Sequence, residues 1–395
     1  MKDATKAVIG GRNPAAHSGT VNQPVYHAST IVFPTVAELR ASNQIRPGDG
    51  LSYGVHGTPA TFAFEEAVAL LEGGYRTRLC NSGLQACSGP LLAFAGAGDH
   101  VLVPDNVYGP VRTFADGLAK RMGIETSYYD PAIGGAIRDL IRPNTKIVWT
   151  EAPGSWTFEM QDIPAIAEEA HRAGATVIMD NTWASPLYFK PFEHGVDVSI
   201  QAATKYIGGH SDFVMGTVTA TEAAYPAIQQ VWRELGLCGA PDDVFLAARG
   251  LRTIDVRLER HWKNGLEIGH WLKARPEVAE VIHPAMEHDP GYALWSRDFL
   301  GAASLFAFTL QEQYSTDACL SAFLDQSEHF AMGYSWGGFE SLLIPVDPKS
   351  RRSATPWPKP DRPQGQTLRI HVGLEAPSDL IDDLTEGFKR MVAAA

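Results

Sequence analysis

Lys205 is the residue around which chemistry would centre. It closes the segment Ser199-Ile200-Gln201-Ala202-Ala203-Thr204-Lys205-Tyr206, at the end of an apolar run, with Gly208-Gly209-His210-Ser211-Asp212 just behind. An amine placed there is desolvated, and desolvation favours its neutral form. A lysine in that state suits attack on a carbonyl to form a Schiff base. Twenty-five residues upstream lies Asp180, at the carboxyl end of the apolar run Val177-Ile178-Met179. Open α/β sheets place their ligands at that end of their strands. A buried carboxylate there requires a partner; the protonated nitrogen of a pyridine ring is one, and the start of the next helix is another. A third segment, Cys80-Asn81-Ser82-Gly83-Leu84-Gln85-Ala86, reads as a strand turning into a helix. Gly83 allows a close backbone approach, and the first N–H groups of the helix could receive a phosphate. Each segment alone is weak. In this order they describe a phosphate cradle, a ring-nitrogen carboxylate and a Schiff-base lysine.

The elements that would hold these residues follow from periodicity. Phe64, Val68 and Leu71 recur at helical spacing before Gly73-Gly74. Short apolar runs follow at Arg78–Cys80, His100–Val103, Lys146–Thr150, Thr176–Met179, Val196–Ile200 and Met215–Ala220, with helix-like stretches between most of them. One such stretch has Ile163, Ile166, Ala167 and Ala170 on one face. Alternation of this kind predicts an α/β domain with a mainly parallel sheet covered on both sides. The boundaries expected are an extended N-terminal arm over 1–57, a large cofactor-binding domain over 58–250 and a smaller α+β C-terminal domain over 251–395. In the last, Leu258, Trp262, Leu266 and Leu272 could share a helix face. A final helix runs through Leu380, Leu384, Phe388 and Met391, with Ser378 as candidate cap. Ile344–Thr367 holds six prolines and no clear periodicity, so it is expected as a surface loop.

Composition excludes several function classes. The formal net charge is -12, without a block of like charges, which argues against nucleic acid or an anionic membrane as the partner. No run approaches the roughly 18 apolar residues of a membrane span, and the opening residues lack a stretch of signal-peptide length. The four cysteines, Cys80, Cys87, Cys238 and Cys319, have neither a Cys-x-x-Cys pair nor regular spacing, so no metal site is indicated. They read as reduced, mostly buried thiols of a cytoplasmic protein.

The stretch from Asp180-Asn181-Thr182-Trp183 to Ser211-Asp212 resembles the Cys/Met-metabolism family of pyridoxal-phosphate enzymes. The resemblance covers nearly the whole chain, from Tyr53-Gly54 to Leu368-Arg369-Ile370-His371-Val372-Gly373-Leu374-Glu375. It implies the aspartate-aminotransferase-like (type I) fold, pyridoxal 5'-phosphate on Lys205, and a homotetramer built from two active dimers. By the same resemblance Tyr108 stacks on the cofactor ring and Asp180 holds its nitrogen. Gly83, Leu84 and Thr204 bind its phosphate, and Tyr53 reaches the phosphate of the neighbouring subunit. Arg369, with Ser335 and Trp336, takes the α-carboxylate of a small sulfur amino acid. Tyr334-Ser335-Trp336-Gly337-Gly338 and Glu151-Ala152-Pro153-Gly154-Ser155 are similar to the β-lyase branch, where γ-acting relatives usually have Leu in place of Trp336 and Ser-Asn-Pro in place of Pro-Gly-Ser. The implied reaction is carbon–sulfur β-elimination, cystathionine giving homocysteine, pyruvate and ammonia, or the same chemistry on other cysteine S-conjugates. Alternatives within the family are γ-lyase, γ-synthase and O-acylhomoserine sulfhydrylase; one of a different class is a non-catalytic cofactor-binding regulator. Two departures stand out. The arm reads Tyr53-Gly54-Val55-His56 where relatives commonly have Tyr-x-Arg, and Ala202 stands where relatives often have Ser. His56 is the candidate to replace the missing charge.

Overall fold

The computed structural model describes residues 1–46, 48–360 and 362–395; residues 47 and 361, in the expected arm and the proline-rich stretch, lie outside the described set. Seven strands form the first sheet: β1 (Arg76–Cys80), β2 (His100–Pro104), β3 (Glu125–Tyr129), β4 (Thr145–Glu151), β5 (Thr176–Asp180), β6 (Val198–Gln201) and β7 (Gly216–Ala220). Their spatial order is β1-β7-β6-β5-β4-β2-β3, and only β7 runs against its neighbours. The six apolar runs in the sequence therefore are strands of a mainly parallel sheet. The central strands are buried along most of their length because helices cover both faces; β2 is buried at every position. β3 escaped the sequence reading because Glu-Thr-Ser-Tyr-Tyr is largely polar. It can be so because it is an edge strand, paired only to β2.

The helix Pro59–Glu72 forms as expected. Thr58 caps it, Phe64, Val68 and Leu71 are almost fully buried, and Gly73 ends it at φ +79°, a conformation glycine adopts without strain. Ile163, Ile166, Ala167 and Ala170 likewise form the buried face of a helix, Ile163–Arg172. Ahead of Pro59 the chain is less extended than anticipated, with short helices at Asp3–Ile9 and Val36–Ser42.

A second sheet of five strands comprises β8 (Val278–Ile282), β9 (Leu305–Leu310), β10 (Phe330–Ala331), β11 (Ser341–Val346) and β12 (Thr367–His371), in the order β10-β11-β12-β9-β8. All its pairs are antiparallel except β10 with β11. Helix Ile254–Lys273 turns Leu258 and Leu272 inward, with Trp262 and Leu266 only partly covered. Helix Pro377–Ala393 buries Leu380, Leu384, Phe388 and Met391, each side chain contributing about 1.5–3 kcal/mol. Ser378 does not cap it: Ala376 precedes the helix, Ser378 is inside its first turn, and its hydroxyl meets Asp379.

The proline-rich stretch is not a free surface loop. Residues up to Val346 belong to β11, and the chain then crosses to the first sheet as a strap. The carboxylate of Asp105, which follows β2, accepts the backbone N–H groups of Ser353 (3.0 Å), Ala354 (2.9 Å) and Thr355 (2.7 Å) and the Arg112 guanidinium (2.6 Å). Arg352 pairs with the buried Glu159, and Trp357 is buried.

Candidate active site

Because β1, β2, β4, β5 and β6 run the same way, the chain leaves their carboxyl ends at one edge of the sheet. Beyond that edge come Gly83, Tyr108, Glu151, Asp180 and Lys205, from five separate stretches of sequence. The second sheet brings up the other side with Ser335, Trp336 and Arg369.

The Lys205 amine donates to Ser335 Oγ at 2.5 Å and lies 5.1 Å from the centroid of the Trp336 ring. Burial, together with the nearby Arg369 guanidinium, brings its pKa down to about 8, against the opposing pull of Asp180. The desolvated lysine anticipated from sequence is thus present. Ser335 has φ +79°, in a region that costs a non-glycine residue of order 1–3 kcal/mol. Gly337, at φ +87°, packs so closely on the Lys205 backbone that a Cβ would sit 3.0 Å from its carbonyl carbon. The Tyr334–Gly338 turn is therefore moulded onto the lysine.

Asp180 is held by Thr182, whose N–H (3.0 Å) and hydroxyl (2.6 Å) both donate to Oδ1. The same hydroxyl accepts from the Ala202 N–H at 2.9 Å, joining the ends of β5 and β6. Burial raises the Asp180 pKa, while Thr182 and the Lys205 charge oppose the rise. Cys87 Sγ approaches Oδ2 at 3.9 Å. Burial is also the main cause that raises the Tyr108 hydroxyl pKa, with Cys87, Asp180 and Glu151 adding to it, which puts this ring in the same cluster.

Arg369 is buried to 7% exposure in β12. One terminal nitrogen donates to the carbonyls of Ser335 (2.9 Å) and Gly333 (3.3 Å), while Nε has no partner among the described residues. Burial lowers its pKa to about 10, so it remains a cation at neutral pH. A buried guanidinium with only neutral partners and an unused donor is prepared for an anion.

Ser82 begins the helix Gly83–Phe94, its Oγ accepting from Gln85 N at 3.1 Å and its carbonyl from Ala86 N. The N–H groups of Gly83 and Leu84 are then left for an outside acceptor, as in the first turn of any helix. A Cβ on Gly83 would fall 2.7 Å from that of Ala202, so the helix start can lie this close to the end of β6 only without a side chain at 83. The hydroxyl of Thr204 is engaged locally, donating to the Met215 carbonyl and accepting from its N–H. Tyr53 is half exposed, its ring edge-on to His56 at 6.2 Å, and has no contact with the cluster among the described residues. His56 shares a hydrogen with Ser52 Oγ, and burial with nearby Arg233 and Arg78 lowers its pKa. A neutral imidazole does not replace a guanidinium's charge.

The donor set fits pyridoxal phosphate on three observations: a desolvated lysine, a buried carboxylate beside it, and a helix start kept bare by glycine. Lys205 would hold the aldehyde carbon, Asp180 the ring nitrogen, and the N–H groups of Gly83 and Leu84 the phosphate, whereas the Thr204 hydroxyl, expected to join them, would first have to leave the Met215 carbonyl. Sequence reasoning gave no role to Thr182, Glu151, Cys87 or Asp105. Asp180-Asn181-Thr182, an acid with a hydroxyl two residues on, was the available signal for the first of these.

The profile of the Cys/Met metabolism PLP-dependent enzyme family matches residues 4–389. A Rhizobium johnstonii protein provisionally named cystathionine beta-lyase is 48% identical over 96% of this chain and 93% of its own length. The cystathionine beta-lyase of Salmonella typhimurium is 41% identical over 98% of both chains. A cystathionine gamma synthase from Xanthomonas oryzae pv. oryzae, solved with aminoacrylate and cysteine, superposes over all of both chains with TM-score 0.88 at 29% identity. The fold, the site and these likenesses agree, and the chain belongs to the Cys/Met-metabolism family of pyridoxal-phosphate-dependent enzymes.

Proposed function

We propose that this enzyme is a carbon–sulfur β-lyase that takes cystathionine to homocysteine, pyruvate and ammonia. The observation that carries the reading is the juxtaposition of Lys205, Trp336 and the open guanidinium of Arg369 around the strained Tyr334–Gly338 turn. The names of the relatives at 48% and 41% identity support the β-elimination branch. When bound, the cofactor supplies an electron-withdrawing ring that makes the substrate α-proton acidic.

The chain's own residues do the rest. Arg369 binds the α-carboxylate and so fixes which α-bond faces Lys205. Near pH 8 the Lys205 amine is divided between its neutral and protonated forms, so it can take the α-proton and return one to the departing sulfur. Ser335 Oγ holds that amine in place between the two transfers. Asp180 keeps the ring nitrogen protonated, and Thr182 keeps Asp180 ionised by two hydrogen bonds. Tyr108 packs on the ring and excludes water. Gly83, Leu84 and Thr204 bind the phosphate, and Tyr53 completes the same site of a neighbouring subunit. The reading extends to a cytoplasmic homotetramer of two active dimers. It also extends to a division into arm (1–57), cofactor domain (58–250) and C-terminal domain (251–395). No described helix is long and apolar enough to cross a membrane.

The test is product analysis with L-cystathionine, alongside the visible spectrum of the purified protein. Pyruvate as the main keto acid supports the proposal. 2-Oxobutyrate moves the reaction to γ-elimination, and cofactor absorbance without any keto acid favours a synthase, a sulfhydrylase or a non-catalytic regulator.

A further inference from the structure

Glu151 ends β4 where Asp180 ends β5, and the two are register partners across a parallel pair. Their side chains leave the same face of the sheet at adjacent positions. Glu151 is 8% exposed, and its Oε2 accepts the backbone N–H of Tyr108 at 2.8 Å. The titratable groups facing it are Cys87 from the helix Gly83–Phe94, Tyr108 from the turn after β2, Tyr129 from β3 and Asp180 from β5. None of these is a cation. Asp180, in contrast, has two donors from Thr182 and the charge of Lys205. Two carboxyl groups this close and this dry do not both ionise, and the better-solvated one takes the charge.

We propose that Glu151 is a positioning residue: a neutral carboxyl, leaving Asp180 as the sole anion beneath the cofactor, that seats Tyr108 against the ring through its backbone N–H. This rests on the reading that Tyr108 packs on the cofactor. Burial and the neighbouring Asp180 both raise the Glu151 pKa, in keeping with the geometry. The second link is to the strap. Asp105, three residues before Tyr108, is tied to Ser353, Ala354 and Thr355, so the Asp105–Tyr108 turn is gripped at both ends by buried carboxyl groups of opposite kind. Asp105 meets a guanidinium and is charged; Glu151 meets only backbone amides, those of Tyr108 and Ser155, and no cation, and is not.

The experiment compares Glu151→Gln, Glu151→Ala and Tyr108→Ala in the holoenzyme and in apoprotein titrated with pyridoxal phosphate. The infrared difference spectrum between wild type and Glu151→Gln shows a protonated-carboxyl C=O band; a carboxylate band in its place overturns the neutral assignment. Gln offers the same acceptor without charge, so cofactor affinity and the pH profile of kcat/KM are unchanged in Glu151→Gln. A displaced acid limb in that profile also overturns the proposal. Glu151→Ala weakens cofactor affinity by about tenfold through loss of one buried hydrogen bond and the order it imposes. That loss shrinks to less than about twofold when Tyr108 is already Ala, as coupled positions require. An undiminished loss shows that Glu151 acts other than through Tyr108 and refutes the positioning role. If Tyr108→Ala leaves cofactor affinity untouched, the underlying reading of Tyr108 fails instead, and the proposal with it. Should Glu151→Ala not fold, the infrared and pH measurements on Glu151→Gln decide.

Discussion

Replacing Arg369 separates substrate binding from cofactor binding. Its guanidinium already holds the Ser335 and Gly333 carbonyls with one terminal nitrogen, leaving Nε and the other terminal nitrogen for an α-carboxylate. Hydrogen bonds to charged groups contribute about 1.5–3 kcal/mol each. Two lost together in Arg369→Ala correspond to a fall in kcat/KM of about 10²–10⁴, at about 1.4 kcal/mol per tenfold. Arg369→Lys keeps the charge, but one ammonium cannot serve both the turn and a forked carboxylate, so a loss of about 10–100-fold is expected. The assay is keto-acid release with L-cystathionine at several concentrations. In parallel, pyridoxal-phosphate titration of the apoprotein should give affinities within about threefold of wild type, as expected for a residue that acts on the substrate. An Arg369→Ala enzyme within a few fold of wild-type kcat/KM refutes the assignment. A loss confined to cofactor affinity does so equally, because it makes Arg369 part of the cofactor cradle.

Lys205→Ala abolishes both the visible cofactor band and turnover; normal turnover in that variant ends the lyase reading. Reconstitution of apoprotein should quicken as pH rises through about 8 and then level, since the Lys205 amine reacts when neutral; a rate still climbing beyond pH 10 indicates an ordinary hydrated lysine. Burial pushes the Asp105 carboxyl up, but the N–H groups of Ser353, Thr355 and Ala354 with Arg112 outweigh it and hold the pKa below the usual value. Its folded pKa being depressed, Asp105 stabilises the protein above the unfolded carboxylate pKa, and the contribution is lost as pH falls through the folded one. Asp105→Asn should therefore cost about 3–5 kcal/mol at neutral pH, read by denaturant unfolding, and narrow its gap to wild type in acid. A variant as stable as wild type at pH 7 removes the strap's anchor from the account.

What could be read in the sequence was whatever depends on local pattern. Phe64, Val68 and Leu71 announce a helix because 3.6-residue spacing puts them on one face, and Val177-Ile178-Met179 announces a strand because both faces are covered. Lys205 and Asp180 were legible because polar groups at the ends of apolar runs are costly unless used. The strap was not, because its order comes from Asp105, some 250 residues away in sequence, gathering backbone N–H groups that leave no residue-type signature. Glu151 was visible only as part of a family marker. Its role depends on register between β4 and β5, which no single stretch encodes. Thr204, Tyr53 and Leu84 rest on the family likeness: within this chain Thr204 is occupied by Met215, and Tyr53 leans on His56.

The scatter of the site along the chain has a consequence for how the protein comes to exist. No fragment ending before Arg369 contains the whole set that begins at Gly83, so a nascent chain cannot recognise cofactor and substrate together until Arg369 has been added. Joint binding of cofactor and substrate is thus reserved for the finished topology, and by mass action cofactor bound to the native state draws the folding equilibrium toward it, by about 2.7 kcal/mol when the cofactor stands at 100 times its Kd. Vitamin supply then becomes a determinant of how much intact enzyme a cell retains, as well as of how fast each copy works.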